Sequence, residues 1–234
     1  MRDVRVAKNK SELIQLAQEF IIDKIKSITS ARHRCTIALA GGSTPKPIYE
    51  AMAQTALPWD KIHVFWGDER YVPPTHPDSN EKMAREAWLN HVPIPPENIH
   101  PMPTMGNNPA LDAQRHEGEI RAFFGQEEGF PTFDLILLGM GDDGHTASLF
   151  PHTDALNAGR ALVTVGNKGD SLRLTFTASL INQADCVVFL VSGENKINAL
   201  TQVFSDDADT NQYPSKLIQP QGELIWFIDQ VINN

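Results

Sequence analysis

The chain is predicted to fold as an α/β protein with an open, mostly parallel sheet and helices on both faces. Three observations predict this. Short apolar runs of strand length recur, amphipathic stretches of helical spacing separate them, and glycine-rich turns follow the runs at their carboxyl ends.

The first element is a helix. Leu13, Leu16, Ala17, Phe20, Ile21, Ile25 and Ile28 recur at helical spacing, and Asn9 followed by Glu12 resembles a capping box. The run CTIALA, 35–40, breaks at Gly41-Gly42 and leads through Ser43, Thr44 and Pro45 into the helical IYEAMAQ, a strand, glycine turn and helix. IHVFW, 62–66, is the next strand; after it come a GDER loop and a helix around EKMAREAWLNHV capped by Asp78 or Ser79. Residues 109–124 read as a helix and DLILLG, 134–139, as a fully buried strand. CVVFLV, 186–191, runs into Gly193 and the helical NKINALTQVF, and LIWFI, 224–228, closes the pattern. In such sheets ligands bind beyond the carboxyl ends of the strands, and GGSTP, GDER, GMGDDGH and SGENK all fall there.

Composition narrows the function. The 234 residues are enough for a sizeable core, and with no internal repeat, low-complexity tract or long linker they read as one domain, 1–234. Twenty basic against 29 acidic side chains give a formal charge of −9, which argues against nucleic acid as a partner, because no cationic surplus displaces its counterions. An anionic ligand would therefore need a local basic pocket. Cys35 and Cys186 lie in apolar runs, so neither a disulfide framework nor a cysteine metal site is expected. The segment MRDVRVAKNKSEL lacks the apolar core of a signal peptide, and no stretch approaches the roughly 20 apolar residues of a membrane span. The expectation is a soluble cytoplasmic protein without an obligate protein partner.

GMGDDGHTASLFP, 139–151, carries the strongest chemical signal, with glycines, two carboxylates and a histidine crowded into the turn after a buried strand. Asp143 lies two residues before His145, and imidazole is the side chain suited to take a proton from water near neutral pH. The plainer alternative is that Asp142 and Asp143 form the turn and His145 caps the next helix. In GGST, Gly42, Ser43 and Thr44 suit a phosphate at a helix start, or merely a tight connection. Arg70 of GDER can neutralise an oxyanion or grip a phosphate, or make a surface ion pair of little value. Arg173 and Lys196 are lone cations beside strand segments. His33, His63, His76, His91, His100, His116 and His152 show no metal-ligand spacing and read as surface or turn residues, so no metal site is predicted. No GxSxG elbow is present, which disfavours covalent catalysis. Trp59, Phe65, Trp66, Trp88 and Trp226 belong to apolar patterns and are expected in the core.

Taken in order, ALAGGSTPKPIYEAM, FWGDERYVPPTHPDSN, LGMGDDGHTASLFP, RLTFT and SGENK resemble the 6-phosphogluconolactonase family over about residues 35–230. The resemblance implies a Rossmann-like sheet and hydrolysis of 6-phospho-D-glucono-1,5-lactone, a phosphosugar lactone, to 6-phosphogluconate, with no cofactor. It implies that Gly42, Ser43, Thr44, Arg173 and Lys196 receive the phosphate. It further implies that His145 is the general base oriented by Asp143, that Arg70 serves the oxyanion or the phosphate, and that Asp68 and Asn80 shape the loop or bind sugar hydroxyls. Two other readings remain. An amino-sugar-phosphate deaminase or isomerase shares GGST, DGH and the lysine but carries a glutamate where this chain has Phe150. A non-catalytic sugar-phosphate sensor would keep the phosphate grip without turnover.

Overall fold

A computed structural model describes residues 2–230. In chain order, β1 (Arg2–Val6) precedes α1 (Lys10–Ala31), β2 (Cys35–Leu39), α2 (Lys46–Ala53), β3 (Ile62–Trp66), β4 (Asp68–Arg70), α3 (Asn80–Ala87) and α4 (Pro109–Phe124). Then follow β5 (Leu135–Leu138), β6 (Val163–Lys168), β7 (Ser171–Phe176), α5 (Ala178–Ile181), β8 (Cys186–Val191), α6 (Ile197–Phe204) and β9 (Glu223–Ile228). Asn9 caps α1 by accepting the Glu12 N–H at 3.0 Å, while the Glu12 carboxylate reaches back to the Lys8 N–H, one residue before the position of a standard capping box. Ser79, not Asp78, caps α3, accepting the Lys82 N–H at 3.1 Å.

The main sheet has six parallel strands in the order β1-β9-β8-β5-β2-β3. Every residue of β2, β5 and β8 is buried. Because side chains alternate between faces, full burial means that both faces are covered. From β2 the chain builds outward first to β3 and then, on the other side, to β5, β8 and β9, so the winding reverses between β2 and β5. At such a switch the connections leave in opposite directions and open a crevice beyond the strand ends.

GDER differs from its expectation as a loop. At Gly67 the chain leaves the parallel sheet, and Asp68–Arg70 pair antiparallel with β7, forming with β6 a second, three-stranded sheet. A three-residue strand whose partner lies about a hundred residues away carries no local pattern to read. Val163, Leu174 and Phe176 of this small sheet join the same buried cluster as the main strands, along with Trp59, Phe65, Trp66, Trp88 and Trp226. Cys35 and Cys186 are buried, unpaired thiols, pushed up to about 12 chiefly by burial.

Three histidines also correct the sequence reading. His116 on α4 is fully buried, and His63 on β3 stacks on His100 with ring centroids 5.5 Å apart and Nδ1 to Nε2 at 3.2 Å. The aromatic wall of Phe65 and Phe123 takes both rings in from solvent. Burial, then the neighbouring His63 and His116, lowers His100 to about 4, and burial also lowers His63. Both rings are therefore neutral in the fold at pH values where an unfolded chain has charged them. Stability from them is complete above the unfolded value near 6.5 and is lost as pH falls toward 4. Each contributes a slope of up to ~1.4 kcal/mol per pH unit. His100→Phe should flatten the loss of stability between pH 6.5 and 4.5, measured by urea unfolding at several pH values. Parallel curves for the two proteins would show that the pair does not drive the acid response.

Candidate active site

The turn after β5 is built around its histidine. Asp143 Oδ1 accepts both the backbone N–H of His145, at 3.0 Å, and the ring Nδ1, at 2.5 Å. Burial alone would push the Asp143 carboxyl up. The hydrogen bonds from the His145 ring and backbone, with the ring's charge, reverse this and hold it at about 2. A carboxylate so ionised only accepts, so the ring bears its proton on Nδ1, and the tautomer this selects for the neutral imidazole has its lone pair on Nε2. Gly141 makes this arrangement possible: a Cβ there would lie 2.0 Å from Nδ1 and 2.5 Å from the Asp143 carboxylate. The Gly141 N–H and His145 carbonyl close the turn at 2.8 Å, and Thr146 donates to the Gly139 carbonyl at the end of β5.

Two arginines line the same cleft as the histidine. Arg70 on β4 and Arg173 on β7 are direct antiparallel partners, so their side chains leave the same face. Like charges in that position repel. Arg70 donates to the Asp78 carbonyl, and the Nε of each arginine is buried without a protein partner. Burial lowers Arg173, with the Arg70 charge acting in the same direction against Asp68. Two half-buried guanidiniums side by side are an arrangement that an anion would relieve. Their frame is firm, because Glu69 accepts the backbone N–H groups of Arg70, Asn80 and Glu81, each at 2.7 Å, and the Ser79 hydroxyl at 3.2 Å. This buried carboxylate, raised by its burial, ties β4 to the start of α3.

These groups line one cleft of about 220 Å³ at the winding reversal, with Gly41 beyond β2, Gly139 and Gly141 beyond β5, and Lys196 before α6. The structure thus brings together His145, Arg70, Asp68, Arg173 and Lys196, with Asp143 behind His145. Gly42, Ser43 and Thr44 occupy the turn that continues outward from Gly41 and are not among the lining residues. No side chain caps the start of α2 that follows them. The Tyr49 hydroxyl pins the turn from below, donating to the Ala40 carbonyl at 2.8 Å and accepting its N–H at 3.1 Å. Asp68 is buried and accepts the Ser148 hydroxyl at 2.6 Å, so one of its oxygens is committed to joining β4 to the His145 loop. Asp229 secures the approach to Lys196 by accepting the Gly193 N–H and the Ser192 hydroxyl. The sequence reading places Gly41 and Gly141 in the turns but not what they make room for, the Asn80 side chain and the His145–Asp143 pair. It assigns nothing to Ser148 or Asp229, whose partners Asp68 and Gly193 are distant in sequence.

The family described as glucosamine-6-phosphate isomerases/6-phosphogluconolactonase matches residues 8–226. A 6-phosphogluconolactonase of Synechocystis sp. is 60% identical over 97% of this chain and 95% of its own. One from Nostoc sp. is 56% identical with the same coverage. The crystal structure of a 6-phosphogluconolactonase from Thermotoga maritima superposes with a TM-score of 0.85 at 31% identity, covering 97% of this chain and 99% of that one. A monomeric glucosamine-6-phosphate deaminase shares the fold, with a TM-score of 0.79 at 19% identity.

Proposed function

The chain belongs to the glucosamine-6-phosphate isomerase/6-phosphogluconolactonase family, and on that premise we propose that it hydrolyses 6-phospho-D-glucono-1,5-lactone with His145 as general base. The substrate and reaction follow the relatives of 60% and 56% identity, which match over nearly the whole chain. The observation that carries the chemistry is His145, paired with Asp143, lining one cleft with Arg70 and Arg173.

A lactone is an ester held in a ring, so hydrolysis requires a positioned water, removal of its proton and stabilisation of one developing oxyanion. His145 Nε2 takes the proton as the water oxygen bonds to the lactone carbonyl carbon. Asp143, ionised and fixed on Nδ1, steadies the imidazolium that forms. One guanidinium balances the charge on the former carbonyl oxygen. When the tetrahedral intermediate collapses, the bond to the ring oxygen breaks and the imidazolium returns its proton to that leaving oxygen. The phosphate is held by the remaining cations, Lys196 among them, and by the GGST turn, so binding energy far from the carbonyl orients it.

The test is turnover of freshly generated lactone by the intact protein, followed by proton release at neutral pH with the spontaneous rate subtracted. An excess proportional to protein concentration, inhibited by 6-phosphogluconate, is expected. No excess over the spontaneous rate would remove the lactonase reading and turn attention to the deaminase.

A further inference from the structure

Phe150 is buried to 4% exposure, yet it is the one buried phenylalanine, tyrosine or tryptophan among the described residues that stands outside the continuous hydrophobic core. Its ring packs instead against the site. The His145 imidazole lies on it with ring centroids 4.3 Å apart and a 37° tilt, the Arg173 guanidinium carbon is 5.4 Å from its centroid, and the Lys168 ammonium 5.9 Å. The backbone around this position is strained. Ala147 and His152, on either side of Phe150, have φ of +47° and +58°, a left-handed conformation that non-glycine residues rarely adopt. Thr153 then holds the Phe150 carbonyl by its hydroxyl at 2.8 Å.

We infer that Phe150 is a positioning residue for the reaction, its π face setting the His145 imidazole and the Arg173 guanidinium on one rigid plate and stabilising the imidazolium that forms when water is deprotonated. The physical basis is the quadrupole of the ring, whose negative face attracts a cation most strongly where water is excluded. Asp143 fixes the imidazole in its plane through Nδ1, and Phe150 fixes it from the side, so Nε2 has one direction left, into the cleft. The other charged groups around the imidazole are Asp143 on its own loop, Arg70 and Asp68 on β4, Arg173 on β7, Lys168 on β6 and Lys196 before α6. Four of these six are cations, and of the two carboxylates only Asp143 bonds the ring, so the aromatic face is the second source of negative potential in contact with it. This inference rests on the lactonase reading and adds to it the group that couples base to anion grip.

The experiment replaces Phe150 by 4-fluoro-, 3,5-difluoro- and 3,4,5-trifluorophenylalanine in the full chain, alongside Phe150→Leu. Fluorine drains the negative face with little change of shape, so a packing role would leave the series flat. The expected result is a stepwise fall in kcat/KM reaching about tenfold in the trifluoro and leucine proteins. With it, the acid limb of the pH profile moves stepwise to lower pH, while the melting temperature stays near wild type. KM should rise in Phe150→Leu, where Arg173 loses its seat, more than across the fluorinated set. A series with constant kcat/KM and an unmoved acid limb would overturn the inference while leaving the wild-type lactone turnover, and hence the functional reading, standing. Absence of turnover in the wild type is the separate failure of that reading.

Discussion

His145→Ala is expected to lower kcat for lactone hydrolysis about 10³-fold, within the range that a positioned general base supplies, while 6-phosphogluconate binds with little loss. The residual rate has a floor set by spontaneous hydrolysis, so the measured loss is the enzymatic excess and not the total. Asp143→Asn should cost about 10²-fold, because an amide no longer enforces a protonated Nδ1 and a free Nε2. Gly141→Ala separates chemistry from placement. It leaves both groups in the chain, but its methyl would lie 2.0 Å from the ring and 2.5 Å from the carboxylate, so one or both must shift from the geometry that joins them. Its kcat should fall nearly as far as that of Asp143→Asn. Stopped-flow proton release gives the rates, and calorimetry with 6-phosphogluconate gives the binding. If His145→Ala kept a tenth or more of the wild-type rate, the base would have to be sought elsewhere.

Much of this site is legible before folding, for a physical reason. Strands buried on both faces must be apolar throughout, so CTIALA, IHVFW, DLILLG, CVVFLV and LIWFI announce themselves, and their carboxyl ends mark where a ligand can sit. Local polar signals also read well: Asn9 and Ser79 are caps, and 109–124 matches α4 from Pro109 to Phe124. The misses are of two kinds. RDVRV forms the edge strand β1 with nearly every residue exposed, so it has no apolar run to detect. The β6–β7 hairpin did leave a signal, alternating residues on either side of the turn sequence NKGD, which is obscured by the short polar ends of its strands.

Long-range register is the deeper obstacle. Nothing near Arg70 or Arg173 in sequence says that they face one another, because the pairing is set by how β7 returns to β4. The same holds for Phe150, whose apolar character suggests the core until its neighbours are seen to be a histidine, an arginine and a lysine. His116 illustrates the reverse error: a histidine in a mainly polar helix faces fully inward, with its Nδ1 3.2 Å from Glu119. Sequence spacing identifies the groups that act alone or with near neighbours. Groups that act through a partner on another strand need the topology.

Arg173→Gln should make the unliganded protein more stable and the enzyme much worse. In the free protein Arg173 is half-buried, directly across from Arg70, and its charged form is disfavoured first by burial and further by Arg70. A directly opposed like-charge pair costs about 0.2–1 kcal/mol. The neutral amide removes that repulsion and the desolvation of a guanidinium, against which stands the loss of the cation–π contact with Phe150 at 5.4 Å. For a chain of this size the gain corresponds to about 1–3 °C in melting temperature. Turnover moves the other way. Hydrogen bonds to charged groups contribute about 1.5–3 kcal/mol each, so kcat/KM should fall about 100-fold, mostly through KM if Arg173 holds the phosphate and through kcat if it serves the oxyanion. Thermal unfolding with and without 6-phosphogluconate completes the test: the ligand should raise the wild-type midpoint more than that of Arg173→Gln. A variant that is less stable without ligand yet fully active would mean that the two arginines are a structural pair and that the anion lies elsewhere in the cleft. Stability rising while activity falls would identify the strained pair as the anion site itself, with its repulsion retained because substrate binding relieves it.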